Sequence, residues 1–344
     1  MFGRVFSGRI RLLASLFALG LCGPLSIAAM AQGERTPTPP AQPMSGPGGR
    51  AYVYDEVRAA EVGTGATGYW IFAPEDVSTT AEPLPLVLFF HGFSAVDPLT
   101  YRAWIDHIVL RGAVVVYPVY QTLELDELNP DTYFPNALTA IAAAVDRLGR
   151  PDYPTVDLTR VAAVGHSVGG VLAANYAAVA GPIGLPIPAA MMPVEPGGCR
   201  DCAGSTAGVP FAKLELVPDS TFALVVVGSD DTVVGTSGAD VIWAETGHIT
   251  DDRRDYVEIV SDDHGSPALV ADHFQPSADD MGGEVDSLDW FGTWKLLDAL
   301  LACAFEGEAC DTALGDTPEQ RFMGSWSDGV PVTPMRVTDG PASP

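Results

Sequence analysis

Residues 161–175 read Val-Ala-Ala-Val-Gly-His-Ser-Val-Gly-Gly-Val-Leu-Ala-Ala-Asn. An apolar run enters Gly-x-Ser-x-Gly at Gly165–Gly169 and leaves as an Ala-rich helical stretch. Strand, tight turn and helix in that order form a nucleophile elbow, a bend that holds a serine hydroxyl out of the chain. Ser167 is the candidate nucleophile. Gly165 and Gly169 suit it because a Cβ at either would collide with neighbouring backbone. The helix that follows aims its free N–H groups and positive dipole end at the place where negative charge develops. The N–H of Val168, directly after the nucleophile, is one expected oxyanion donor. A serine hydroxyl is a weak nucleophile at neutral pH and needs a base that a third group holds in place. After an elbow of this kind the acid and then the histidine follow in loops after later strands. Behind the apolar run Phe222–Val227 stand Gly228-Ser-Asp-Asp-Thr, so Asp230 and Asp231 compete for the acid. Behind Tyr256–Val260 stand Ser261-Asp-Asp-His-Gly-Ser, which places the base at His264. His248 and His273 are the alternatives, one before that strand and the other well beyond it.

These side chains need a scaffold, and the sequence predicts one. Short apolar, β-branched runs recur at Gly68–Phe72, Leu86–Phe90, Ala113–Tyr117, Val161–Val164, Ala189–Met192, Phe222–Val227 and Tyr256–Val260. They are near-continuous rather than alternating, as in strands covered on both faces. Helical spacing separates them at Tyr101–Arg111, Asn136–Leu148 and Trp290–Phe305. Strands alternating with helices predict an α/β fold with a mostly parallel sheet. Residues 195–220 and 235–252 are the least regular segments and are expected to rim the site. Phe93, Met191, Met192 and Trp243 are then either pocket lining or core.

The motifs His91-Gly92-Phe93, Gly165-His166-Ser167-Val168-Gly169, Asp231 and His264 together resemble the α/β-hydrolase family. The resemblance covers about residues 50–305 and implies a central sheet of about eight strands with helices on both faces. It implies Asp231 rather than Asp230 as the acid, three residues past the strand-ending Gly228. It also implies Phe93, after the His-Gly corner, as the second oxyanion donor, with His91 bonding its own loop and His166 packing rather than reacting. Within the family, Gly-His-Ser-Val-Gly-Gly with an early His-Gly-Phe looks like the branch of secreted lipases, chlorophyllases, platelet-activating-factor acetylhydrolases and polyester hydrolases. That branch implies carboxylic ester hydrolysis with no cofactor and no metal, on a small-molecule, lipid or polymer ester. A serine peptidase or acyltransferase, or a binding protein that has lost the chemistry, is the alternative on the same fold. Aspartate or cysteine nucleophiles of other family branches are excluded by Ser167.

Composition narrows the partners. The chain of 344 residues carries 44 acidic and 18 Lys or Arg residues, a formal charge of -26. Such a surface repels phosphate backbones and anionic headgroups, so neither nucleic acid nor stable membrane insertion is expected. Asp-rich loops near 230, 251 and 262 lack the alternating acids and closing Glu of a calcium loop. At the N-terminus, Arg4, Arg9 and Arg11 precede an apolar stretch that ends in Ala29-Met30-Ala31. This predicts a signal peptide over 1–31, cleaved before Gln32, and a secreted or periplasmic protein. Residues 32–49, rich in Pro and Gly, are expected to form a linker, 50–305 the catalytic domain and 306–344 an extended tail tacked down by Trp326. Beyond the signal four cysteines remain. An even count in an exported chain favours disulfides, here Cys199–Cys202 and Cys303–Cys310.

Overall fold

A computed structural model describes residues 36–75, 77, 82–124, 128–277, 282–338 and 340. The expected signal peptide lies outside the described residues. All seven apolar runs form strands, joined by two that the sequence reading did not predict. In chain order these are β1 (Val57–Val62), β2 (Tyr69–Pro74), β3 (Leu84–Phe90), β4 (Val114–Pro118), β5 (Val156–His166), β6 (Ala190–Val194), β7 (Phe222–Gly228), β8 (Arg254–Ile259) and β9 (Arg336–Thr338). They form one sheet in the order β1-β2-β4-β3-β5-β6-β7-β8-β9. β4, β3, β5, β6, β7 and β8 run parallel, while β1, β2 and β9 pair antiparallel at the edges. Among the described residues the sheet thus has nine strands, against about eight expected. β1 and β9 lacked the sequence signal because edge strands here are half-exposed and carry no continuous apolar run.

Alternation along β3 shows how the layers form. Leu86, Leu88 and Phe90 pack against α2 (Pro130–Leu148) and α3 (Val168–Val179), whereas Val87 and Phe89 face α1 (Arg102–Leu110) and α5 (Trp294–Glu306). The period of two sends successive side chains to opposite faces, and both faces are covered, so every one of these residues is apolar. α4 (Ser237–Glu245) joins α3 on the first of these faces. It was not predicted, because only Ala239 and Ile242 among its apolar residues reach the core. Met191 and Met192 are fully buried, and Trp243 lies under the Arg254 guanidinium at 4.0 Å. These three are packing rather than pocket lining.

Both disulfides form as expected, Cys199–Cys202 and Cys303–Cys310. The terminal segments depart from the expectation. Residues 36–49 are bonded along the body rather than free of it. Pro37 and Pro40 offer carbonyls that accept from Ser266 N–H (2.8 Å) and the Trp290 indole (3.2 Å), and Gly48 N–H donates to Asp298 (2.7 Å). A Pro-rich strand cannot pair with its own kind, so its carbonyls find donors elsewhere. The tail adds α6 (Cys310–Ala313), α7 (Pro318–Arg321) and β9. Buried Lys295 of α5 donates to three tail carbonyls, those of Glu319, Gln320 and Phe322. Trp326 is buried and its indole donates to Asp262 at 3.2 Å. Among the described residues no helix is long and apolar enough to cross a membrane.

Candidate active site

The carboxyl ends of the parallel strands carry the candidate residues. β5 stops at His166, and Ser167 follows with φ 56° and ψ -124°. A non-glycine residue with positive φ is strained by about 1–2 kcal/mol. Neighbouring glycines create the room for it. A Cβ on Gly165 would lie 2.2 Å from the Gly169 carbonyl oxygen, and one on Gly169 would lie 2.0 Å from that of Phe90. Ser167 N–H donates to Val194 O (3.0 Å), which pins the bend to β6. Val168 opens α3, so its N–H has no intrahelical acceptor.

Asp231 lies past the end of β7, as expected. One carboxylate oxygen accepts from Val233 N–H (2.9 Å) and Val234 N–H (3.0 Å). The other accepts from an imidazole Nδ1 at 2.8 Å, and that ring belongs to His273. Burial works to raise the Asp231 pKa, but the His273 and backbone hydrogen bonds outweigh it and hold the carboxyl below its ordinary value. The far nitrogen, His273 Nε2, lies 3.0 Å from Ser167 Oγ, and the ring is buried. Ser167, His273 and Asp231 therefore form one continuous chain of hydrogen bonds.

His264, expected as the base, stands elsewhere. Its Nε2 pairs with Asp328 at 2.8 Å, and its ring packs against Trp326 with centroids 5.7 Å apart. The path of the chain after β8 explains the correction. Asp262 and Leu269 exchange both backbone hydrogen bonds at 2.8 Å, so residues 263–268 are pinched out as an excursion that carries His264 away. The chain then returns to the strand ends, where Ala271 O accepts from Asp230 N–H at 3.0 Å. Two residues later His273 meets Asp231. A signal for this was present: His264 sits among Asp, Gly, Ser and Pro, whereas His273 comes after the apolar Ala268-Leu-Val-Ala and Asp272 and precedes Phe274. His248 bonds the Val217 carbonyl and takes no part.

The corner after β3 lies against the serine. A Cβ on Gly92 would lie 3.5 Å from Ser167 Cβ and 2.8 Å from the Tyr101 hydroxyl, so a side chain there would have to displace Tyr101. Phe93 follows, about half-exposed at 51%. His91 is fully buried, donates from Nδ1 to the Gly92 carbonyl (2.7 Å) and stacks on Tyr120. Burial pushes its pKa down to about 4, so it is a neutral brace for the loop. His166 is buried too, with Nδ1 2.7 Å from the Tyr101 hydroxyl. Burial and the neighbouring His273 lower it to about 3.

Among the described residues one cluster could hold a metal ion: His166, Glu195 and His273 present ligand atoms within 4.8 Å of one another. Both ring nitrogens of His273 already face partners, Nδ1 at Asp231 and Nε2 at Ser167, so a metal there would displace one of them.

A family model described as alpha/beta hydrolase fold matches residues 87–259, from within β3 to the last residue of β8. The chain belongs to the α/β-hydrolase family. The matched stretch is half of its length and contains Ser167 and Asp231 but stops short of His273. No curated protein matches this α/β-hydrolase. The family is generally hydrolytic, and the fold class is the one the sequence predicts.

Proposed function

We propose that this α/β-hydrolase cleaves carboxylic esters through an acyl-enzyme on Ser167. The observation that carries the reading is the hydrogen-bonded series Ser167 Oγ–His273 Nε2 (3.0 Å) and His273 Nδ1–Asp231 (2.8 Å). Asp231 holds the ring in the tautomer with Nδ1–H, which leaves Nε2 free to accept the serine proton. Ser167 Oγ then attacks the ester carbonyl. The oxygen that becomes negative accepts from the N–H groups of Val168, directly after the serine, and Phe93, after the Gly92 corner. His273 returns its proton to the departing alcohol. Water, deprotonated by the same ring, attacks the acyl-enzyme and releases the acid. No cofactor enters these steps.

Phe93, next to the Gly92 corner, is half-exposed at 51%, and Val233, two residues past Asp231, is 60% exposed. An apolar rim on an open surface suits an ester with an apolar acyl or alcohol part, a lipid or polymer ester among them. This agrees with the branch of lipases, chlorophyllases and polyester hydrolases that the elbow and His-Gly-Phe corner resemble. Export fits the same reading, since two disulfides belong to an oxidising compartment.

A fluorophosphonate should label wild-type protein on Ser167 and fail to label Ser167→Ala, which should also lose nitrophenyl-ester hydrolysis. Wild-type protein that neither reacts with the probe nor turns over any ester from two-carbon to long acyl chains would show a binding protein on this fold.

A further inference from the structure

The residue after β6 has a backbone conformation that needs an explanation. Glu195 has φ 45°, the left-handed region that a side chain disfavours, and its N–H is held by Val226 O at 2.7 Å. Backbone strain of this kind persists where the surroundings over-determine it, and it gathers at functional sites. Its carboxyl group is buried, with 3% of the side chain exposed. Space for it exists because position 228 is glycine: a Cβ there would come within 2.5 Å of Glu195 Oε1.

The buried carboxyl faces the triad from below. Glu195 Oε2 lies 3.7 Å from His273 Nδ1, the same ring nitrogen that Asp231 engages at 2.8 Å. It also lies 3.3 Å from His166 Nε2. Among the described residues neither Glu195 Oε2 nor His166 Nε2 has a hydrogen-bond partner. Buried polar atoms without partners cost about 1–3 kcal/mol each, so an apolar residue would serve better if packing were all that mattered. The titratable groups around it are His166 at the end of β5, Asp231 after β7, and Asp272 and His273 after β8. Among the described residues no Lys or Arg balances the group. Burial, and then the charges of Asp231 and Asp272, push its pKa well above the ordinary carboxyl value. The surroundings therefore favour the uncharged forms of Glu195 and His166, beside the charges of Asp231 and Asp272.

The geometry points to Glu195 as a reserve positioning acid for His273, a second carboxyl that takes over the ring when Asp231 loses its charge. This inference rests on the triad proposed above. In the wild type the ring needs one anion, and Asp231 supplies it. Substituting Asp231→Asn removes that anion and with it one of the charges that keep Glu195 protonated. Glu195 then ionises at lower pH than before, and a ring shift of about 1 Å brings Nδ1–H into hydrogen-bond range of its Oε2.

The test is the pH profile of kcat/KM on a nitrophenyl ester for wild type, Glu195→Gln, Asp231→Asn and the double variant. Thermal melting should show that all four are folded. Glu195→Gln replaces a neutral acid by a neutral amide of the same shape and should stay within about threefold of wild type. Asp231→Asn should lose roughly 10⁴-fold at neutral pH and recover as pH rises, more steeply than the double variant, which carries only the hydroxide-driven background. Identical profiles for Asp231→Asn and the double variant would overturn the reserve role and leave the triad intact. So would a loss in Glu195→Gln as large as that in Asp231→Asn, which would make Glu195 the primary acid. Full activity in Ser167→Ala would instead remove the triad itself.

Discussion

Two histidines lie nine residues apart in one loop, and alanine at each should give opposite results. His273→Ala removes the acceptor 3.0 Å from Ser167 Oγ and leaves Asp231 anchored by the Val233 and Val234 N–H groups. The fold therefore survives while the serine loses its base. Removing a triad histidine costs on the order of 10⁵–10⁶-fold in kcat, equivalent to about 7–8 kcal/mol of transition-state stabilisation. His264→Ala removes an exposed ion pair with Asp328 and one ring contact with Trp326. The ion pair is open to water and salt and contributes little. The ring contact is worth about 1 kcal/mol, which for a chain of this size lowers Tm by roughly 2 °C. Hydrolysis of a nitrophenyl ester, with melting curves beside it, reads both quantities. The expected pattern is an inactive His273→Ala with near-native Tm and an active, slightly less stable His264→Ala. An inactive His264→Ala beside an active His273→Ala would refute the reasoning, because it would put the base 97 rather than 106 residues after the serine.

Gly169→Ala forces a methyl to within 2.0 Å of the Phe90 carbonyl oxygen and 2.5 Å of that of His91. The elbow and the oxyanion corner must then separate. We expect at least a tenfold loss of kcat together with destabilisation by about 1–3 kcal/mol; an unchanged rate would show that this contact does not set the oxyanion geometry. Burial pushes Lys295 down to about 7, against 10.5 in the unfolded chain. Between these values the unfolded state binds more protons than the native state, so stability should rise with pH from about 7 upward. Lys295→Met should lack that rise in urea titrations at neutral and mildly alkaline pH, and equal pH responses in the two proteins would contradict it.

Much of the core and half of the site could be read along the chain. The parallel strands are buried on both faces, so each is a short apolar run that needs no partner to be recognised. The loop after β7 narrowed the acid to Asp230 or Asp231, and the resemblance to the family implied Asp231. The segments that escaped are those whose state depends on what covers them. Residues 36–49 look like a linker until Ser266, Ser327 and Asp298 supply partners for their backbone groups. β9 is three residues long and is a strand only because β8 offers it an edge.

The nucleophile was fixed by local sequence, because an elbow is made by steric demands among five adjacent residues and the strand and helix beside them. Its base was not. Position along the chain favoured His264, the first histidine past the strand. The two hydrogen bonds between Asp262 and Leu269 turn the intervening residues outward, and only then does His273 arrive at Asp231. Glu195 follows the same logic: nothing in Val-Glu-Pro marks a carboxyl beneath the imidazole, and it takes the folding of β6 beside β7, with a glycine at 228, to bury it there. Local rules choose which residue can be strained into a bend, while proximity between distant side chains is a property of how loops close.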